Sequence, residues 1–121
     1  MRRACTIAAT ADRIFVGQFD INSAGSKEFL GINSFDFQKG TWQDVKKVEG
    51  LPSLRVSTLM VDGANLWVGG MGYVALVDPN NNEVRKFAYV HARTVDQIQI
   101  GGGYVWAKYN WHLHRVSVRD L

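Results

Sequence analysis

The chain has 121 residues, a formal net charge of +3, 46% hydrophobic residues and 21% charged ones. This length suits one domain that buries roughly two thirds of the surface of its unfolded chain, and the composition excludes a disordered protein. The excess charge is scattered, with Arg2-Arg3 and Lys46-Lys47 as its densest groups, so nucleic acid is not an expected partner.

In chain order, MRRACTIAATAD comes first. It has the two arginines and small residues of a secretory leader, but its apolar part is too short and carries two threonines. It reads instead as the first strand. Cys5 is the single cysteine, so no intrachain disulfide can form, and it is expected to be a small buried residue. No later segment approaches the ~20 apolar residues of a membrane-spanning helix. The expectation is a soluble cytoplasmic protein.

One pattern then recurs. TIAATADRIFVG at Thr6–Gly17, TLMVDGANLWVG at Thr58–Gly69 and QIQIGGGYVWAK at Gln97–Lys108 superpose without gaps, placing Phe15, Trp67 and Trp106 at one position. Each is an alternating strand, a turn of Asp, Gly or Asn, and a second strand with a large aromatic, which is a β-hairpin signature. Asn33–Trp42 matches Ala75–Val84 in the same way and adds a third and a fourth strand. The second copy therefore predicts strands near Ser57–Val61, Leu66–Val68, Val74–Val77 and Glu83–Phe87. The third predicts Val95–Ile100, Tyr104–Ala107 and Leu113–Val118, with no fourth strand.

Four strands at a period near ~40 residues are what a β-propeller blade requires. The predicted fold class is thus all-β, a partial propeller of three antiparallel blades, the third incomplete. Residues 1–121 form a single domain, with repeats at about 5–49, 55–92 and 95–121. A plain antiparallel sandwich is the competing architecture. In the propeller, the recurring aromatic fills the space between blades, and Trp67, Trp106 and Phe15 are expected to be equivalently buried.

Val61-Asp62-Gly63, Leu66-Trp67-Val68-Gly69 and Leu76-Val77-Asp78 resemble the propeller repeats of two-component-regulator sensors and of virginiamycin B lyase-like propellers. The lyase resemblance implies a second functional class, a lyase or hydrolase with histidine as base or metal ligand. Its catalytic residues do not map onto this chain, so no catalytic residue, metal or cofactor is assigned.

Three blades leave apolar faces bare at both ends of the arc, and bare faces mark association sites. A symmetric homo-oligomer, most simply a dimer, is the expected state. The loops between second and third strands share one end of the fold. In the first copy that loop, Gly17 to Gly31 with GQFDINSAGSKEF, looks like a long polar insertion. The candidate ligand site on this end comprises Tyr73, His91, Arg93, Tyr109, Asn110, Trp111 and His112, whose aromatic and hydrogen-bonding groups suit a small molecule, peptide or protein. His112 and His114 fall on one face of a strand, but no His-x-x-x-His and no neighbouring acid accompany them. The chain also lacks the Gly-x-Ser-x-Gly elbow and the phosphate-binding Gly-Lys-Ser/Thr loop. The sequence therefore reads as a non-enzymatic binding module.

Overall fold

The computed structural model describes the backbone at 3–51, 53 and 55–120, and side chains there except at 91–93 and 120. Its strands begin with the expected turns. Gly63, Gly102 and Gly103 hold φ of +61°, +61° and +82° between the pairs Asp62–Asn65 and Gly101–Tyr104, the left-handed backbone that two-residue hairpins demand. In the first hairpin, Thr10 supplies the turn instead, its hydroxyl accepting from the amides of Asp12 and Arg13 at 3.2 and 3.0 Å.

Three antiparallel sheets result. The first runs β1 (Arg3–Ala9), β2 (Arg13–Ile21), β3 (Lys27–Asp36) and β4 (Thr41–Trp42) in sequential order. The second orders β5 (Val56–Asp62), β6 (Asn65–Asp78) and β7 (Glu83–Thr94). The third holds β8 (Gln97–Gly101), β9 (Tyr104–Tyr109) and β10 (His112–Ser117), followed by a 3-10 turn at Val118–Asp120.

β6 is one run of strand conformation with two differently paired parts. Residues up to Gly70 pair with β5, and residues from Met71 onward pair with β7. Leu66 and Val68 share a core with Tyr73, Ala75 and Val77, whereas Trp67 shares the other core with Val74. The alternation thus changes parity between 68 and 73. A Cβ on Gly70 would also strike the Tyr73 ring. Two residues three apart in a straight strand lie about 10 Å apart on opposite faces, so this contact requires the run to double back. It does so at Met71 and Gly72, where Gly72 has φ +82°. The second sheet is therefore a four-armed unit, as the repeat predicts.

The blades stack face to face. Phe15 and Ile32 of the first sheet meet Val56, Leu59, Leu66, Val68 and Ala75 of the second. Trp67, Val74 and Val90 of the second meet Ile98, Val105, Ala107 and Tyr109 of the third. The inner strands are stitched across the junctions. The Leu59 amide donates to the Thr6 hydroxyl at 3.1 Å, and the Ser57 hydroxyl lies 2.6 Å from the Val95 carbonyl oxygen. At the outer side of the first junction, buried Asn82 sends its amide to the Ile32 and Lys46 carbonyls at 3.3 and 3.0 Å.

Three expectations are corrected. The stretch at 17–31 is no loop: β2 and β3 extend as a paired hairpin with Ile21 opposite Lys27, closed by Asn22, whose Oδ1 accepts from the Ala24 and Ser26 amides. Trp106 keeps the register of Phe15 and Trp67 but is only half-buried, because its face is the outer one of the third sheet. Cys5 is exposed, although its thiol lies 3.3 Å from the Gly17 and Val56 carbonyl oxygens.

Candidate functional site

Alternation of hairpins fixes which residues share an end. The turn at 22–26, the Met71-Gly72 turn and the Asn110-Trp111 turn lie at one end, with the segments that lead into β5 and β8. The turns at 10–12, 37–40, 63–64, 79–82 and 102–103 lie at the other.

On the first of these ends, β9 and β10 close with Tyr109 opposite His112. Asn110 accepts the left-handed φ of +50° that the turn needs. Its amide donates to Asp96 Oδ2 at 3.0 Å, and Lys108 Nζ reaches the same oxygen at 3.2 Å. The rings of Tyr109 and His112 stack at 5.3 Å, with Tyr109 buried beneath. Trp111 is left at the tip with 98% of its surface exposed. Among the described residues none covers this large aromatic, and the turn that carries it is held by Asp96.

The sequence-derived residues divide accordingly. Tyr109, Asn110, Trp111 and His112 come together in this turn. Tyr73 does not join them. It is fully buried between the first two sheets, and its hydroxyl donates to the Arg55 carbonyl at 2.8 Å. Burial drives its pKa far above the usual tyrosine value, so it is a neutral core residue. His91 and Arg93 fall within β7, and their side chains lie outside the described residues.

A second feature of the same end was not found from the sequence. Where the inner strands begin, Cys5, Phe19, Lys27, Phe29, Arg55 and Asp96 surround a cleft of about 260 Å³. Lys27 Nζ sits 5.2 Å from the Phe19 ring centre, and the Arg55 guanidinium 5.2 Å from that of Phe29. The two rings are 6.1 Å apart. The hairpin expected to be a loop thus supplies one wall. These residues come from three strands and two linkers, so no local motif announces the cleft.

No protein-family profile and no curated protein matches the chain. Solved structures do. The Mitotic Checkpoint Complex contains a chain similar over 96% of this one at 15% identity and a TM-score of 0.69. The Pan2 WD40 domain of Neurospora crassa is similar over 93% at 12% identity and 0.64, and the extracellular domain of BT4673 from B. thetaiotaomicron over 91% at 14% and 0.55. The chain spans 33%, 36% and 20% of those chains respectively. These likenesses establish the partial propeller.

Proposed function

We propose that the chain is a non-enzymatic protein-interaction module that recognises a protein segment on the end bearing the Asn110-Trp111 turn. The observation that carries this reading is Trp111, fully presented on a turn held by Asp96. Tryptophan is the side chain most enriched among residues that dominate binding energy, because it buries a large rigid surface at small entropic cost. The propeller fold of the neighbours supports an interaction role in general.

The module is proposed to work as a symmetric homo-oligomer, most simply a dimer. Support comes from the two end faces. The outer face of the first sheet carries Ile7 and Trp42, 61% and 57% exposed. The outer face of the third carries Leu113, 68% exposed, with Trp106. Ile7 is the repeat equivalent of Leu59 and Ile98, which pack against preceding blades, and Trp106 is the equivalent of Trp67, which packs against the following one. The end faces are therefore the two halves of the junction already used inside the chain.

A displayed peptide library panned against the immobilised protein tests recognition. Enriched peptides should bind the wild type and lose about tenfold or more in affinity on Trp111→Ala, the scale of a binding hot spot. Enrichment of no sequence, or binding indifferent to Trp111→Ala, overturns the reading.

A further inference from the structure

The cleft at the same end of the fold as Trp111 has its own ligand chemistry. The Arg55 guanidinium carbon lies over the Phe29 ring, 5.2 Å from its centre. A cation–π contact of that kind does not use up the N–H donors of the guanidinium. Among the described residues, Arg55 Nε is buried without a hydrogen-bond partner, and neither Arg55 nor Lys27 forms an ion pair. A buried donor left unmade is costly, and a second ligand group is the economical way to satisfy it. The one acid on the cleft wall, Asp96, is already engaged by Lys108 and the Asn110 amide. The cleft therefore holds two uncommitted cations, an apolar floor of Phe19 and Phe29, and no uncommitted anion. A planar carboxylate matches the fork of a guanidinium, and an adjacent ammonium adds a second charge-assisted contact. A carboxylate on a short aliphatic stem, repeated along an extended backbone, is an acidic peptide.

We infer that this cleft binds glutamate or aspartate side chains of an acidic peptide segment, with Arg55 and Lys27 as the recognising cations. The inference rests on the interaction-module reading and names the chemistry of its partner.

A fluorescein-labelled octapeptide rich in glutamate, and its glutamine counterpart, are titrated into the full chain by fluorescence anisotropy. The glutamate peptide should bind at least about tenfold more tightly than the glutamine one, with a preference that shrinks as salt rises. Arg55→Gln and Lys27→Gln should each weaken it about tenfold, the loss expected for one charge-assisted contact. Lys39→Gln removes the same charge from the opposite end of the fold and should leave affinity within about twofold, as a distant screened charge should. Equal affinity for the two peptides overturns the inference. So do equal losses in all three variants, which would mean attraction by net charge alone. A short single-stranded oligonucleotide that binds more tightly than the glutamate peptide, with the same dependence on Arg55 and Lys27, overturns it in favour of a phosphate site. The Arg55 carbonyl anchors Tyr73, so a melting temperature is taken for each variant; if Arg55→Gln is unfolded, Lys27→Gln at its exposed position decides. Loss of glutamate preference with Trp111 dependence of library peptides intact would defeat this inference and leave the interaction reading standing.

Discussion

Trp67 and Trp106 occupy one position of the repeat and have different fates. Trp67 is 2% exposed, closed in by the third sheet, whereas Trp106 is half-buried and donates its indole N–H to the Gly101 carbonyl at 3.0 Å. Trp67→Ala should cost about 3–5 kcal/mol in urea unfolding, the range for a buried aromatic, and Trp106→Ala distinctly less in the monomer. Equal costs would show that the third sheet's outer face is covered. Asn82 makes a second case. It holds a left-handed φ of +57° and ties two carbonyls of the first blade to the second. Asn82→Ala should cost roughly 1 kcal/mol, the loss of the side-chain tie between the blades, since the Ile32 and Lys46 carbonyls keep each other's backbone amides at 3.0 and 2.9 Å. The register of the aromatics was legible in the sequence because strand alternation permits only one phase. The burial of Tyr73 was not. Its ring crosses the space left by Gly70 to reach Arg55, and a side chain on Gly70 would also strike the Arg55 carbonyl. A glycine facing an aromatic across a two-residue turn was the available sign.

Among elements, the hairpins were readable and the extension of one was not. Asp-Gly and Gly-Gly-Gly place the first turn of the second and third blades, because few other residues tolerate that backbone. The stretch at 17–31 read as a polar loop through its Asp, Asn, Ser and Gly, yet Phe19 and Phe29 face each other across it as a pair in register. A two-strand pairing hidden among turn residues is weakly signalled, and with it went Lys27. The turns at the opposite end make a pH prediction. Asp36 accepts from the Lys39 and Gln38 amides, and Asp78 from the Asn80 amide and Arg85 at 2.9 Å. These backbone hydrogen bonds, foremost those of Lys39 and Asn80, hold both carboxyls below the ordinary aspartate pKa. The sign follows: their stabilisation is complete above about pH 5, where both are ionised even in the unfolded chain, and is lost as pH falls through the lower folded values. The thermal midpoint should drop on acidification below about pH 4, and the drop should be smaller in Asp36→Asn with Asp78→Asn. A double variant with an unchanged acid limb would place the effect elsewhere.

For the whole molecule, the period of the repeat revealed the blades, while the cleft remained hidden because it forms between them. Arg55 and Lys27 stand 28 positions apart in the sequence and meet only when the first two blades stack. Assembly belongs to the same scale. If two copies close through their end faces, light scattering should give twice 13.6 kDa across a wide dilution range. Trp42→Glu and Leu113→Glu, on opposite end faces, should each produce monomers, since a charge buried without a partner disfavours an interface. A folded wild-type monomer at micromolar concentration would defeat the dimer and leave the Trp111 face to act alone.

The stitching of the inner strands has a direction. Cys5, Ser57 and Asp96 are the same position in three successive repeats. The first two turn a hydrogen-bearing group toward the backbone carbonyl that opens the next blade, Val56 and Val95 respectively. The third is a carboxylate, which has no hydrogen to give and instead turns back to Lys108 and Asn110 in its own blade. The relay is passed twice and then stopped. At the outer face of the third blade this position presents a carboxylate in place of the hydrogen-bearing group that reaches across the two internal junctions. A seam formed there by a second copy would lack this one hydrogen bond, which the two internal junctions each have.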